Sequence, residues 1–200
     1  MRVCVAELRL ASLAADIVEL AALRGRSDDL SAIAGVQDRR LPAMGRMVSG
    51  ADQLALCVRP QRWLLLGAPA APGATAAYWQ AACAGMGAGA AAGVAVDLSS
   101  ALAVLHLGGN RARELLVRGC RLDLSADAFP PGSAAATIMV QVSVILAALP
   151  SGVLLLTPAS TARHVREWLA STARNFVPMP LSQDLIVAEL TLAELMGEQR

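Results

Sequence analysis

The chain of 200 residues has no lysine; all 17 basic residues are arginine. Coding bias toward GC-rich codons accounts for this as well as function does. Aromatic residues make up 3% of the chain, too few for the stacking platforms that hold single-stranded nucleic acid. A formal net charge of +1 leaves no basic footprint for a duplex. Cysteines number four: Cys4, Cys57, Cys83 and Cys120. None sits in a Cys-x-x-Cys pair, and their spacing builds no disulfide framework. Reduced, mostly buried thiols in a cytoplasmic protein are therefore expected. With only two histidines, the spacing of a zinc site is also missing. No Gly-x-Ser-x-Gly elbow occurs. Apolar runs are too weak to span a bilayer: residues 81–96 are mostly Ala and Gly, and 134–149 carry Gln141 and Ser143. Both fall short of the ~20 strongly apolar residues required. Arg9, Asp16 and Glu19 interrupt what would be a leader's apolar core.

What the chain has is aliphatic bulk. Apolar residues reach 56%, against roughly half in an average domain. A chain of this length buries a core without metal or disulfide support. The surplus is expected to be buried against partner subunits.

Periodicity and punctuation divide the chain into alternating elements. Residues 1–13 read equally as strand or helix. Residues 16–23 read as a strand, followed by a short helix with Ser27 at its cap, Asp28 and Asp29 in its first turn and a stop at Gly35. Residues 39–42 are a loop. Strands follow at 53–58 and 63–67, joined by Arg59-Pro60-Gln61-Arg62. A helix over 75–86 ends in Gly85-x-Gly87-x-Gly89, and 94–98 is a strand. The second half repeats the order. It has a strand at 101–107, a helix capped by Asn110 and ended by Gly119, and one long strand with Ile138, Val140, Val142, Val144 and Leu146 at period two. The turn Pro150-Ser151-Gly152 leads into a strand at 153–157. A helix capped by Ser160 presents Ala162, Val165, Leu169, Ala173 and Phe176 on one side. Residues 184–190 are a last strand or part of a terminal helix. Each half is strand–helix–strand–strand–helix–strand, the ferredoxin-like order. The expected class is α+β, with halves at 1–93 and 94–200 packed as one compact unit and residues 85–93 the one loose link.

Reactive candidates are few, and each has a plainer reading. The run Gly85-Met86-Gly87-Ala88-Gly89 lies after a helix and before a strand, the reverse of the dinucleotide fingerprint. His106 sits on a strand beside Leu102 and Val104 and reads as a buried or interface histidine; His164 reads as solvated. Asp97, Asp123 and Asp127 lie at loop positions where local backbone bonding is common. Cys120 follows a helix C-terminus, where the dipole disfavours a thiolate. Arg39, Arg40 and Arg46, and again Arg111, Arg113, Arg118 and Arg121, form two clusters that meet either solvent or an acidic partner. No catalytic, cofactor-binding or metal-ligating residue is assigned.

Several fixed spacings carry a resemblance. They are Leu41-Pro42, Arg62-Trp63-Leu64-Leu65-Leu66, Asp97-Leu98-Ser99, Ala112-Arg113-Glu114-Leu115-Leu116, Gly119-Cys120-x-Leu122-Asp123-Leu124, and Ala128-Phe129-Pro130-Pro131-Gly132 followed by Thr137. Over residues 41–176 the chain resembles the gamma subunit of heterotetrameric sarcosine oxidase. Arg62 departs from the family's usual acid before Trp63, and residues 158–163 depart from its usual run before the last helix. The resemblance implies the folate-binding fold of the glycine-cleavage aminomethyltransferase. It also implies a non-catalytic subunit of a flavoenzyme complex that oxidatively demethylates sarcosine or another N-methyl amine and passes the one-carbon unit to tetrahydrofolate. Partners would be alpha, beta and delta subunits, carrying FAD, FMN, NAD, tetrahydrofolate and zinc, with none of these on this chain. Neither nucleic acid nor membrane is implied. The alternative is a stand-alone folate-binding or aminomethyltransferase-like protein, for which Asp97 or Asp123 would be the polar group near the folate nitrogens.

Overall fold

The computed structural model of the chain describes residues 8–36, 38–50, 53–85, 91–109, 111–176 and 187–197. In order these form β1 (Arg9–Ala14), β2 (Asp16–Ala22), α1 (Ser27–Val36), β3 (Arg46–Ser49), β4 (Gln53–Arg59), β5 (Arg62–Gly67), α2 (Ala74–Gly85) and β6 (Gly93–Asp97). They continue with β7 (Leu102–Gly108), α3 (Ala112–Val117), β8 (Ala134–Met139), β9 (Val142–Leu149), β10 (Gly152–Pro158), a 3-10 turn (Ala159–Thr161), α4 (Ala162–Phe176), β11 (Val187–Thr191) and α5 (Leu192–Gly197).

The strands make two sheets. The first runs β3-β4-β5-β2-β6, and the second β11-β1-β7-β10-β9-β8. Within the first, β2, β4, β5 and β6 have the ferredoxin-like order, all pairs antiparallel, with β3 added at one edge. The second repeats this with β7, β9, β10 and β11, and β8 takes the place of β3 at its edge. One strand breaks the symmetry. β1 is inserted between β11, to which it is parallel, and β7, to which it is antiparallel. Strand pairing crosses the boundary expected between residues 93 and 94. Gly93–Asp97 pairs with β2 in the first sheet, while the N-terminal β1 completes the second. The physical reason is that β1 and β2 are joined through Ala15 alone, so the chain steps from one sheet to the other at its start.

Three apolar layers follow from strand alternation. Leu13, Ile17, Leu54, Leu66, Leu154 and Leu156 fill the space between the sheets. Val18, Leu20, Leu65, Leu30, Ile33 and Trp79 pack α1 and α2 on the first sheet. Leu105, Leu155, Leu115, Leu116, Val165 and Leu169 pack α3 and α4 on the second. Leu192 and Leu195 of α5 enter the middle layer, and the helix is started by a reciprocal Thr191–Glu194 capping box. One pair of sheet edges is stitched together. Arg46 bridges to Ser133, Met47 N–H donates to Gly132 O at 2.8 Å, and Ala134 N–H donates to Gly45 O at 2.9 Å.

Other expectations change in detail. The single long strand expected through Ile138, Val140, Val142, Val144 and Leu146 is a hairpin, β8 and β9, turned at Val140 (φ 50°) and Gln141 (φ 65°). Apolar alternation runs unbroken through the turn, and neither residue is the Gly, Asn or Asp that two positive φ values favour, so the sequence hides it. The short edge strand β3 lies where the sequence reading assigns no element. Asn110 and residues 86–90 fall outside the described residues. Helix α3 starts after Arg111, whose side chain makes no capping bond. Ser160 lies inside the 3-10 turn rather than at a cap, and Thr161 Oγ1 instead donates to Pro158 O at 3.1 Å.

Two glycines are fixed by close approach. A Cβ on Gly152 would sit 2.2 Å from Leu107 O and 3.0 Å from His106 Nε2; on Gly119 it would sit 2.6 Å from the Trp168 ring. Gly152→Ala should cost at least about 3 kcal/mol, because backbone cannot yield as a side-chain tip can. Gly119→Ala should cost about 1–3 kcal/mol through displacement of Trp168. Urea unfolding midpoints measure both.

Candidate functional site

The motif residues fold into supports, and their geometry explains their spacing. The indole Nε1 of Trp63, on β5, donates to Pro42 O at 2.8 Å, so Trp63 pins the Leu41-Pro42 loop. Arg62 donates to Glu19 Oε1 on β2 at 2.5 Å, which accounts for the basic residue before Trp63. Arg113, on α3, donates from one nitrogen to Leu124 O at 2.8 Å and to Phe129 O at 2.7 Å. It clamps the loop whose Leu124 and Phe129 side chains are buried under the second sheet. Gly119 lets Trp168 approach, and Cys120 Sγ accepts the Leu122 N–H at 3.4 Å and lies 3.7 Å from Thr137 Oγ1. Gly132 (φ 83°) supplies the carbonyl of the seam between the sheets.

The charged candidates do not converge on a reaction centre. Asp97 Oδ1 accepts the Ser99 N–H at 2.8 Å, and Asp123 Oδ1 accepts the Ser125 N–H at 2.9 Å. The Ser99 hydroxyl and amide hold the Asp97 carboxyl below its usual range. The Ser125 amide and hydroxyl do the same for Asp123. Both are bound locally, as the sequence suggested, and both favour the anion rather than a shared proton. Asp127 is exposed. His106 is buried, with Nε2 3.4 Å from Ser151 Oγ, while His164 is exposed on α4. Cys57, Cys83 and Cys120 are unpaired and buried, and burial pushes the Cys57 and Cys83 thiols up. Among the described residues no three His, Cys, Asp or Glu side chains come together as metal ligands. Of the two arginine clusters, Arg39 is half-buried, Arg40, Arg46 and Arg121 are exposed, and Arg111 pairs with Glu114 at 3.1 Å. Arg113 is half-buried, and its guanidinium is engaged by the Leu124 and Phe129 carbonyls. Sequence reasoning missed this, although its place in the first turn of a short helix next to a long loop was a usable signal.

One cleft of about 330 Å³ opens where β1 and β2 diverge. Ile17, Leu102, Val104 and Leu105 form apolar walls, and Ser12 and Arg166 contribute polar groups. Ser99, also in the lining, is occupied: its Oγ accepts the Ile17 N–H at 3.0 Å. No helix in the described residues is long and apolar enough to cross a membrane.

No protein-family model matches the sequence, and no curated protein matches it. Chains of solved structures do match, 28 in all. The chain superposes on one from the heterotetrameric sarcosine oxidase of Corynebacterium sp. U-96, in complex with pyrrole 2-carboxylate, at TM-score 0.73 and 24% identity over 88% of both chains. It shares that fold. It also matches the glycine cleavage system aminomethyltransferase T of Bartonella henselae, at TM-score 0.62 and 14% identity, over 84% of this chain and 47% of that one. The α+β class and the likeness read from the motifs are both met in the fold, and the chain spans about half the length of the aminomethyltransferase.

Removing the Arg113 clamp would leave two carbonyls without their charged donor. Arg113→Ala should therefore lower stability by about 2–4 kcal/mol, read from denaturant midpoints. The aspartates set the acid limb. Their pKa values are depressed in the folded state, so their contribution is present above the unfolded value of about 4 and is lost as pH falls through the folded value. Asp97→Asn with Asp123→Asn should flatten the fall in stability below about pH 4, followed by unfolding midpoints across pH.

Proposed function

We propose that this chain is the non-catalytic gamma subunit of a sarcosine-oxidase-like heterotetramer. In this reading the complex oxidatively demethylates an N-methyl amine such as sarcosine and passes the one-carbon unit to tetrahydrofolate. FAD, FMN, NAD, tetrahydrofolate and zinc would reside on alpha, beta and delta partners, and the assembly would be cytoplasmic. The observation that carries the reading is near-complete mutual coverage: 88% of this chain matches 88% of a chain from such an oxidase. Motif residues that serve as loop clamps, seams and close contacts support it, since they build a scaffold rather than an acid–base pair. Exposed aliphatics support it too: Leu23, Val94, Val96, Val117 and Ile138 are each more than two-fifths exposed. Permanent interfaces bury more than about 2,000 Å² and are more apolar than ordinary surface.

The second reading, a folate-binding protein acting alone, draws on the aminomethyltransferase match. The two are separated by co-expression with the reading frames encoded beside this one and by titration with a reduced folate. A fixed-stoichiometry complex with a large flavin-bearing chain, and no folate binding by this chain alone, is expected. Tight folate binding by the isolated chain, or turnover without companions, would overturn the subunit reading.

A further inference from the structure

The cleft between β1, β7 and α4 is lined by two polar side chains, Ser12 and Arg166, that make no hydrogen bond or ion pair among the described residues. Arg166 lines it from α4. The residues one turn away along the helix are Ala162, Arg163, Leu169 and Ala170, so no acid lies at the spacings where a helical arginine finds one. Glu167, its sequence neighbour, is ion-paired with Arg163 at 2.8 Å and feels the charge of Arg166 only as the last of the influences that lower its pKa. Ser12 lies in the middle of β1, where its backbone is engaged by the flanking strands, and its hydroxyl makes no hydrogen bond among the described residues. Arg166 likewise has neither hydrogen bond nor ion pair among them.

The remaining lining is apolar or already satisfied. Ile17, Leu102, Val104 and Leu105 supply aliphatic surface, and Ser99 is bound to Ile17 N–H. Neither aspartate adjoining the cleft is loose. Asp16 Oδ2 accepts the Thr75 hydroxyl at 2.8 Å, and Asp97 is bound by Ser99. The described lining contains no carboxylate. The strand register sets one further acid near this end of the sheet: Glu189 of β11 is opposite Ser12.

A guanidinium is donor-only, always charged and shaped to meet a carboxylate. A hydroxyl on the same wall adds a donor, and the aliphatic lining suits an apolar body. We infer that this cleft binds a small organic monocarboxylate, its charged end at Arg166 and Ser12 and its hydrocarbon part against Leu105, which is opposite Ser12 in the strand register, and Ala162 of α4. The volume of about 330 Å³ lies at the small end of ligand clefts, which restricts the ligand to one ring or a short chain. This inference is independent of the subunit reading, since it concerns only side chains of this chain.

The probe is benzoate, titrated into the full-length protein and followed by amide chemical shifts in isotope-labelled protein. Benzamide, of the same shape without the charge, and sulfate, charged without the apolar body, are run alongside. Saturable shifts at residues 12–17 and 102–105 are expected with benzoate, with benzamide and sulfate each weaker by about tenfold or more, as loss of a charge-assisted bond implies. Arg166→Gln should weaken benzoate by a similar factor while leaving the unliganded melting temperature unchanged, because the side chain is exposed. Ser12→Ala should weaken it less. Glu189→Gln should leave binding intact or tighten it. The proposal is overturned by equal binding of benzamide, by benzoate affinity unaltered in Arg166→Gln, by shifts lying away from the cleft, or by no saturable shift at all.

Discussion

An apolar layer closed between two sheets governs this molecule, and it can close because one residue, Ala15, carries the chain across it. β1 belongs to the second sheet and β2 to the first, so the start of the chain staples the two together before either half is complete. The sheets meet again at the far edge, where the Met47 N–H donates to Gly132 O. Leucines from both inner faces then lose contact with water. Each fully buried leucine is worth about 1.5–3 kcal/mol relative to exposure, an upper figure because the unfolded chain already hides part of that surface. Without the crossing strand and the seam, each half would have a greasy sheet face with nothing to cover it.

Local order was legible in the sequence where periodicity and punctuation agreed. Arg59-Pro60-Gln61-Arg62 joins β4 and β5 as read, and Val165, Leu169 and Ala173 form the buried stripe of α4. The doubled strand–helix order emerged because each half has its own turn signals. Long-range pairing was not legible. Nothing in Arg9–Ala14 tells that it inserts beside β7, since its alternation fits either sheet. The hairpin at Val140 and Gln141 was invisible for a different reason. Those two residues adopt left-handed backbone without the residue types that favour it, and Val140 packs against the helix layer, so tertiary contact overrides local preference.

The motif residues teach a related lesson about reading function from spacing. Gly119-Cys120-x-Leu122-Asp123-Leu124 and Ala128-Phe129 look like the dense patterns that surround active sites. In the fold they surround Arg113, which ties Leu124 O and Phe129 O. A loop of this length carries backbone carbonyls that must be paired if its apolar side chains are to be buried. One arginine serves two of them, and the glycine makes room for Trp168 beside it. Such a set is fixed by packing as firmly as a catalytic set is fixed by chemistry, and sequence spacing alone does not tell the two apart.

Chemistry does distinguish them. A transferase site needs a proton acceptor whose pKa is brought toward the working pH by burial or a like charge. Asp97 and Asp123 are moved the other way: local amides and hydroxyls lower them, which suits a turn and weakens a base. His106 is buried in the sheet behind Gly108 and Gly152, and those glycines leave it room to pack rather than a path to solvent. Ser12 and Arg166, which make no hydrogen bond or ion pair among the described residues, line the cleft at the divergence of β1 and β2. A guanidinium and a hydroxyl recognise an anion; neither is poised to take a proton from it. Among the described residues, Asp97 and Asp123 are therefore held in turns by local bonds, while Ser12 and Arg166 are suited to binding.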